Sequence, residues 1–309
     1  MVPRRVVSAR RQGTVKSIPM IMKSGYALKK NFLQVLFVLS LCFFLVPAVS
    51  AQVNVVGSLT RQMTLSPGEE AQGHVIVHNQ SNENRMVRAY LTDYQSFANG
   101  TVIYGEAGNL PRSNAGWVHV VPGELVVPAG GNASFHFIVR VPGDNTLTGT
   151  YWSMLMIEPV ALETLAPPPA RVGRRTALCI RTVTRTGLHV TTDIGETGLR
   201  AMRFVSKKIE RVAGKLFLSL DVENTGERRL GLTVWAELFD AEGLFIGRFD
   251  AGRRGLYPGS SARLRVPLSG VPPGRHLAVI VADNGDEHVF GARYELEVPA
   301  QTPARGMSR

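Results

Sequence analysis

Four of the seven histidines, at positions 74, 78, 119 and 136, are the candidates that we consider for a metal site. Imidazole nitrogens are common zinc ligands. His74 and His78 could share an ion on a helix, but on a strand four residues span about 13 Å along one face. A site that adds His119 and His136 from neighbouring strands is the alternative, and solvated or hydrogen-bonded histidines are the favoured interpretation. We therefore predict no metal ligand and no cofactor.

Two further segments carry groups that could do chemistry. Residues 283–287, Asp-Asn-Gly-Asp-Glu, resemble the start of a calcium loop but lack the D-x-[DN]-x-[DN]-G spacing. They lie between two strand patterns, which favours a hairpin turn. Cys179 lies in an alternating stretch with polar neighbours and is most simply a thiol on a strand.

The common catalytic signatures are absent from the sequence after residue 51. It contains no G-x-S-x-G, H-E-x-x-H, G-x-x-x-x-G-K-[ST], G-x-G-x-x-G or C-x-x-C. We predict no catalytic residue and a protein that is not an enzyme. A carbohydrate-active enzyme stays as a minor alternative, because the two carboxylates of a glycosidase have no short motif.

The N-terminal 51 residues have the organisation of a secretory signal peptide. Lys29 and Lys30 precede the apolar run 32–46, and the small residues of 47–51 follow it. We predict cleavage after Ala51, with a true start at Met20 or Met22 as an alternative. The run is shorter than the roughly 20 residues of a membrane-spanning helix, so we expect no stable membrane span after cleavage. The predicted location is periplasmic or secreted.

Removing this segment changes the charge of the protein. The whole chain carries a formal charge of +11, and residues 1–51 hold eight basic residues and no acidic one, which leaves +3. The remaining charge gives little support to a nucleic-acid partner, and we predict none. Of the two cysteines, Cys42 leaves with the signal, so Cys179 has no intramolecular partner.

The hydrophobic pattern after residue 52 has a period of two, which is typical of β-strands. The alternating runs are 135–141, 216–222, 232–238, 264–268, 277–281 and 294–298, with Gly- and Pro-containing turns between them. Many short strands with regular turns predict all-β structure, in the form of two immunoglobulin-like β-sandwich domains. The continuous apolar run 151–157 predicts a central strand that is buried on both faces.

We predict domains at 52–194 and 195–300 and a disordered tail at 301–309. The first includes a long proline-rich, basic loop at 161–175, which leads into the alternating stretch 176–190. One interpretation of that stretch is an ordinary edge strand after a mobile loop. The other is an edge that lends a strand to a partner.

Several stretches resemble the periplasmic pilus-assembly chaperones of the chaperone–usher pathway, which consist of two immunoglobulin-like domains. The stretches that carry the resemblance are 126–135, 141–159, 222–225, 256–261 and 282–286. The resemblance implies a chaperone that binds exported, pilin-like subunits by β-strand addition. It also implies an outer-membrane usher as a further candidate partner.

The resemblance also implies site residues. Arg61 and Arg185 would be the two cations that hold the carboxylate at the C-terminus of a subunit, through charge-assisted hydrogen bonds. Leu178 and Ile180 would be the donor side chains that fill pockets of the subunit. A different interpretation, which the stretches 114–118 and 128–130 fit equally well, is a cell-surface or periplasmic two-domain scaffold or adhesion module that binds protein or glycan.

Overall fold

The computed structural model describes residues 53–160 and 183–300, and most of these residues lie in β-strands. The helical part of those two ranges is one 3-10 turn, Ala115–Trp117. Neither range contains a helix of the length and apolar character needed to cross a bilayer. The predicted signal peptide 1–51, the loop 161–175 and the tail 301–309 lie outside the described residues.

Ten strands build the first β-sandwich. They are β1 (Val53–Val56), β2 (Thr60–Leu65), β3 (Glu70–Asn79), β4 (Arg85–Ser96), β5 (Val102–Gly105), β6 (Val118–Val121), β7 (Glu124–Val127), β8 (Asn132–Arg140), β9 (Gly149–Pro159) and β10 (Thr186–Ile194). One sheet has the order β1-β3-β8-β6, and the other has the order β2-β10-β9-β4-β5 with β7 also paired to β4.

Seven strands build the second sandwich. They are β11 (Met202–Val212), β12 (Lys215–Asn224), β13 (Leu230–Phe239), β14 (Phe245–Leu256), β15 (Ser261–Pro267), β16 (Gly274–Asp283) and β17 (Val289–Val298). The two sheets have the orders β11-β12-β15 and β14-β13-β16-β17.

Each sandwich has its own apolar core, formed by the inward-facing members of the alternating strands. In the first sandwich Phe135, Phe137 and Leu188 are almost completely buried, and in the second Leu220 and Leu238 are. Burying one such side chain contributes about 1.5–3 kcal/mol. The period-two pattern of the sequence therefore accounts for both cores.

The structure confirms the predicted fold class of two immunoglobulin-like β-sandwiches. The six alternating runs all form strands, and β9, which contains the apolar run 151–157, lies in the middle of its sheet. Residues 283–289 form the β16–β17 hairpin turn, as predicted. The predicted domain bounds, 52–194 and 195–300, stay predictions.

The two sandwiches belong to one compact unit and contact each other closely where β9 begins. Gly149 has a φ of 74°, and a Cβ atom there would lie 2.3 Å from the carbonyl oxygen of Glu227. The neighbouring Thr150 donates its N–H to that oxygen. Only glycine fits this combination of left-handed backbone and close approach, so Gly149 sets how tightly the sandwiches meet.

A buried arginine fixes the segment that connects the sandwiches. Arg228 is 7% exposed, and its Nη1 donates to the carbonyl oxygens of Gly195 at 2.8 Å and Thr197 at 3.0 Å. Its Nη2 lies 3.2 Å from a carboxylate oxygen of Glu196. These contacts satisfy backbone acceptors of the polar connection that directly follows β10.

Candidate functional site, an open strand edge

Strand β10 is fully paired on one side and only partly paired on the other. It runs antiparallel to β9 from Thr186, opposite Ile157, to its end at Ile194. On the other side, β2 runs parallel to it and begins at Thr60, opposite His189. Within the described residues, Thr186–Leu188 therefore have a strand partner on one side only, and we call this stretch the open edge.

The direction of the peptide groups shows which residue presents hydrogen-bonding atoms at the open edge. The N–H of His189 donates to the carbonyl oxygen of Leu59 at 2.9 Å, on the β2 side. Peptide groups alternate in direction along a strand, so those of Gly187 face the same side, before β2 begins. An extended segment laid along the open edge could pair with the N–H and C=O of Gly187.

The open edge exists because the chain changes sheets just before β2. Strand β1 pairs with β3 in the opposite sheet, and the chain then crosses over through Gly57, whose φ is 91°. The crossing brings Leu59 beside β10 with 47% of its surface exposed, and Val183, upstream of the open edge, is 45% exposed. Apolar side chains therefore accompany the unpaired backbone.

Two methionines of β9 lie across β10 at Gly187. A Cβ atom on Gly187 would lie 2.8 Å from the sulfur of Met154 and 3.1 Å from that of Met156. Both methionines are buried, at 4% and 9% exposure. Methionine is flexible and polarisable, so the pair gives the open edge an adaptable apolar neighbour.

A charged cluster lies at the upstream end of the open edge. Glu158 accepts from Nε of Arg185 at 2.8 Å and from Nη2 of Arg88 at 3.3 Å. Burial acts to raise the pKa of Glu158, but the hydrogen bonds from the two arginines outweigh it and lower that pKa below its usual value. Burial, followed by the charge of Glu158, raises the pKa of Tyr90. Arg185 thus stays fixed beside β9 while 58% of its side chain is exposed.

Arg61 lies at the other end of the open edge. It is paired in register with Val190, and its Nη1 donates to the carbonyl oxygen of Ser58 at 2.5 Å. Arg185 precedes Val190 by five positions, which separates the two arginines by about 16 Å along the strand. The structure therefore does not bring Arg61 and Arg185 together on one carboxylate, and each stands at one end of the open edge.

The predicted donor residues Leu178 and Ile180 lie outside the described residues, as does Cys179. Their roles stay predictions. The sequence interpretation missed Glu158, Met154 and Met156, although the continuous apolar run followed by one acidic residue was visible.

The closed part of β10, where β2 covers it, lies against the second sandwich. Tyr257 stacks on Trp152 with ring centroids 4.8 Å apart and on His189 at 5.3 Å. Its hydroxyl is 2.7 Å from Oγ1 of Thr191. Tyr94 contacts His189 edge-on at 4.8 Å. No local sequence signal links Tyr257 to β9 and β10, which lie far earlier in the chain, so sequence reasoning did not find this contact.

Burial keeps His189 and Tyr257 uncharged near neutral pH. Burial, followed by the positive charge of Arg229, lowers the pKa of His189 from 6.5 to about 4. Burial likewise raises the pKa of Tyr257. Among the described residues the Nδ1 atom of His189 is buried with no hydrogen-bond partner. The imidazole therefore acts as a neutral ring that ends the open edge.

The acidic turn of the second sandwich contains the ligand atoms of Asp286, Glu287 and His288 within 4.8 Å of one another. Asp286 and Glu287 are exposed, and Asp286 forms an ion pair with Arg200 at 3.0 Å. These contacts agree with an ordinary charged hairpin turn.

The fold is similar to solved structures of fimbrial chaperones. The class 5 fimbriae chaperone CfaA is 13% identical with a TM-score of 0.41, over 80% of this chain and 100% of that chain. The E. coli chaperone DraB is 13% identical with a TM-score of 0.37, over 80% and 96%. A chain of the Salmonella enterica SafA pilin complex with the SafB chaperone is 16% identical with a TM-score of 0.36, over 78% and 95%. No family model and no curated protein matches the sequence.

Proposed function

We propose that this protein is a chaperone-like binding protein of the cell envelope, which holds an extended segment of an exported, pilin-like partner by β-strand addition. The observation that carries the proposal is the outward peptide group of Gly187, between Arg185 and the start of β2, which has no strand partner in the part of the chain that the structure describes. In strand addition the main-chain hydrogen bonds supply affinity, and neighbouring side-chain pockets supply specificity. The proposed activity is binding, without catalysis.

The ends of the open edge suggest how the added segment is limited. A segment that pairs with β10 upstream of His189 occupies the same side as β2, so one of its ends meets Thr60 and Arg61. A C-terminal carboxylate at that end would accept charge-assisted hydrogen bonds from Arg61. Arg185 would contact the segment at the other end, while its Nε holds Glu158.

The other parts of the proposal concern residues outside the described ranges. Leu178 and Ile180 would continue the pairing upstream and insert their side chains into the partner. The signal peptide 1–51 would deliver the protein to the periplasm or the exterior, and an outer-membrane usher would be a second partner.

The proposal can be tested by photo-crosslinking in the native cells. A photoreactive amino acid replaces Val183 or Leu59 beside the open edge, and Val289 serves as the matched control because it is a valine with 59% exposure on the second sandwich. We expect Val183 and Leu59 to crosslink to an exported protein, identified by mass spectrometry, and Val289 not to. Equal crosslinking from all three positions would overturn strand addition and favour a scaffold or adhesion module.

Site variants test the individual residues. Co-expression with the crosslinked subunit is followed by pull-down of wild type, Arg61→Gln, Arg185→Gln and Ile180→Asp. We expect each variant to retain at least tenfold less subunit, which corresponds to about 1.4 kcal/mol. Equal retention by all four proteins would contradict the assigned roles.

A further inference from the structure

Three histidines lie near one another on the outer face of the sheet β1-β3-β8-β6. The open edge belongs to the other sheet of the same sandwich. His74 of β3 is directly opposite His136 of β8, and their ring centroids are 6.4 Å apart. His119 of β6 is opposite Ile138, two residues from His136 on the same face. Such diagonal neighbours have Cα atoms about 7–8 Å apart. All three imidazoles line one groove of about 310 Å³.

The surroundings leave these imidazoles available. His74, His119 and His136 are exposed, and the described part of the chain makes no hydrogen bond or ion pair to them. The nearest charged pair on this face, Glu70 and Arg140, is joined at 3.1 Å and so neutralises itself. The groove therefore offers nitrogen ligands without a free carboxylate.

We propose that His74, His136 and His119 form a surface site for one divalent transition-metal ion of the Cu²⁺ or Zn²⁺ class. Imidazole ligands favour these ions over Mg²⁺ and Ca²⁺, which prefer oxygen. Metal–nitrogen bonds of about 2.0–2.1 Å place the ring centroids of two ligands about 5 Å apart. Rotation of the exposed side chains of His74 and His136 closes the difference from the observed separation.

Two of the three positions carry most of the affinity in this site. His74 and His136 form the cross-strand pair, and His119 reaches the ion diagonally as the third ligand. Three protein ligands leave one coordination position open to solvent, as in zinc sites that bind water or a further group. His78 does not take part, because its Nδ1 lies 2.8 Å from Oδ1 of Asn132 at the far end of the strand.

The sequence favoured separate, solvated histidines, and the strand register is the observation that favours a shared site instead. Spacing along the chain separates His74 from His78, and the sequence does not show which residue of another strand lies opposite. The register places His136 directly opposite His74 and His119 diagonally across from His136 on the next strand, so the three histidines line one groove.

The site is tested on the protein purified without a polyhistidine tag. Cu²⁺ is titrated at pH 7.5 with calorimetry and electron paramagnetic resonance, and Zn²⁺ is added as a competitor. We expect one bound Cu²⁺ with nitrogen ligands, displaced by excess Zn²⁺. Binding should weaken at least about tenfold in His74→Gln and His136→Gln, and about threefold or more in His119→Gln.

His78→Gln is the matched control, since His78 lies on the same strand and face as His74. It should bind Cu²⁺ like wild type. A double variant H74Q/H136Q with unchanged affinity, or an equal loss in His78→Gln, would overturn the proposal. An independent readout needs no variant: Zn²⁺ should protect His74 and His136 of the wild-type protein from carbethoxylation, and equal labelling with and without Zn²⁺ would also overturn it.

Discussion

Two sheet edges of this protein differ in whether side chains from another strand cover their backbone. The edge strand β17 of the second sandwich is covered by side chains of β11: Lys207 donates to the carbonyl oxygen of Glu295 at 3.1 Å and lies 4.5 Å from the ring centre of Tyr294. Arg211 donates to the carbonyl oxygen of Ala300 at 3.3 Å. The open edge of β10, by contrast, consists of Thr186, Gly187 and Leu188, and none of these residues is charged.

The difference is informative because exposed strand edges tend to pair with other chains. Proteins usually protect them with lysine, charge or a covering segment, as β17 is protected here. Within the described residues, the open edge is left uncovered beside methionines and exposed apolar residues while another edge is protected, and this contrast is in line with the proposed binding role.

The largest expected effect concerns His189, where the open edge ends. Its folded-state pKa of about 4 lies below the ordinary value of 6.5, so the unfolded chain takes up a proton first as the pH falls. The stabilisation is fully present above pH 6.5 and is lost toward pH 4, by up to about 3 kcal/mol. Urea denaturation at pH 7 and pH 4.5 measures it. In His189→Phe the pH dependence should be shallower by that amount, and an unchanged slope would contradict the assignment.

Blocking the open edge should abolish partner capture. Gly187→Pro removes the outward N–H without removing a hydrogen bond to β9, although its Cβ atom must displace the sulfur of Met154, which lies 2.8 Å from that position. We expect at least a tenfold loss of crosslinked partner from position 183, or about 1.4 kcal/mol. Glu295→Pro is the control on the covered edge, where the peptide group also faces outward. A similar loss in both variants would show that the two edges do not differ in function. The melting temperature of each variant reports whether its fold is intact.

Removing the side chain that covers β17 should allow this strand edge to pair with other chains, as we propose for the open edge. Lys207→Ala removes both the hydrogen bond to Glu295 and the contact with Tyr294, and should cost about 0.5–1 kcal/mol in the free energy of unfolding. We also expect concentration-dependent self-association, measured by sedimentation velocity. A variant that stays monomeric at high concentration would mean that other features protect this edge.

The smallest effect should come from the charged cluster at the upstream end. Arg88→Gln removes one of the two cations that hold the buried Glu158. Because Arg88 itself is about half exposed and Arg185 still pairs with Glu158, the loss should be less than about 1 kcal/mol. The pKa of Glu158, followed by NMR titration, should rise toward its ordinary value. Partner capture should not change, since Arg185 still fixes the end of the open edge. A loss of capture as large as that in Arg185→Gln would show that Arg88 contacts the partner.

Much of the fold could be predicted from the sequence, because alternation of apolar residues is a local signal that β-sandwiches repeat many times. The runs around Phe135, Leu220 and Leu238 each gave a strand with the correct buried face. The candidate site depends instead on which strands are neighbours. The distance between Arg61 and Arg185, the contact of Tyr257 with His189 and the pairing of His74 with His136 all follow from register, which a single sequence does not specify.

The crossing at Gly57 also sets a length. Because β2 starts where the chain leaves the opposite sheet, moving that crossing by two residues would lengthen or shorten the open edge by one outward-facing peptide group. The short connection between β1 and β2 thus sets the number of residues of an added strand that can pair with β10. Insertions or deletions at residues 57–59 would change the number of hydrogen bonds that a partner can form, without changing the packing of either apolar core.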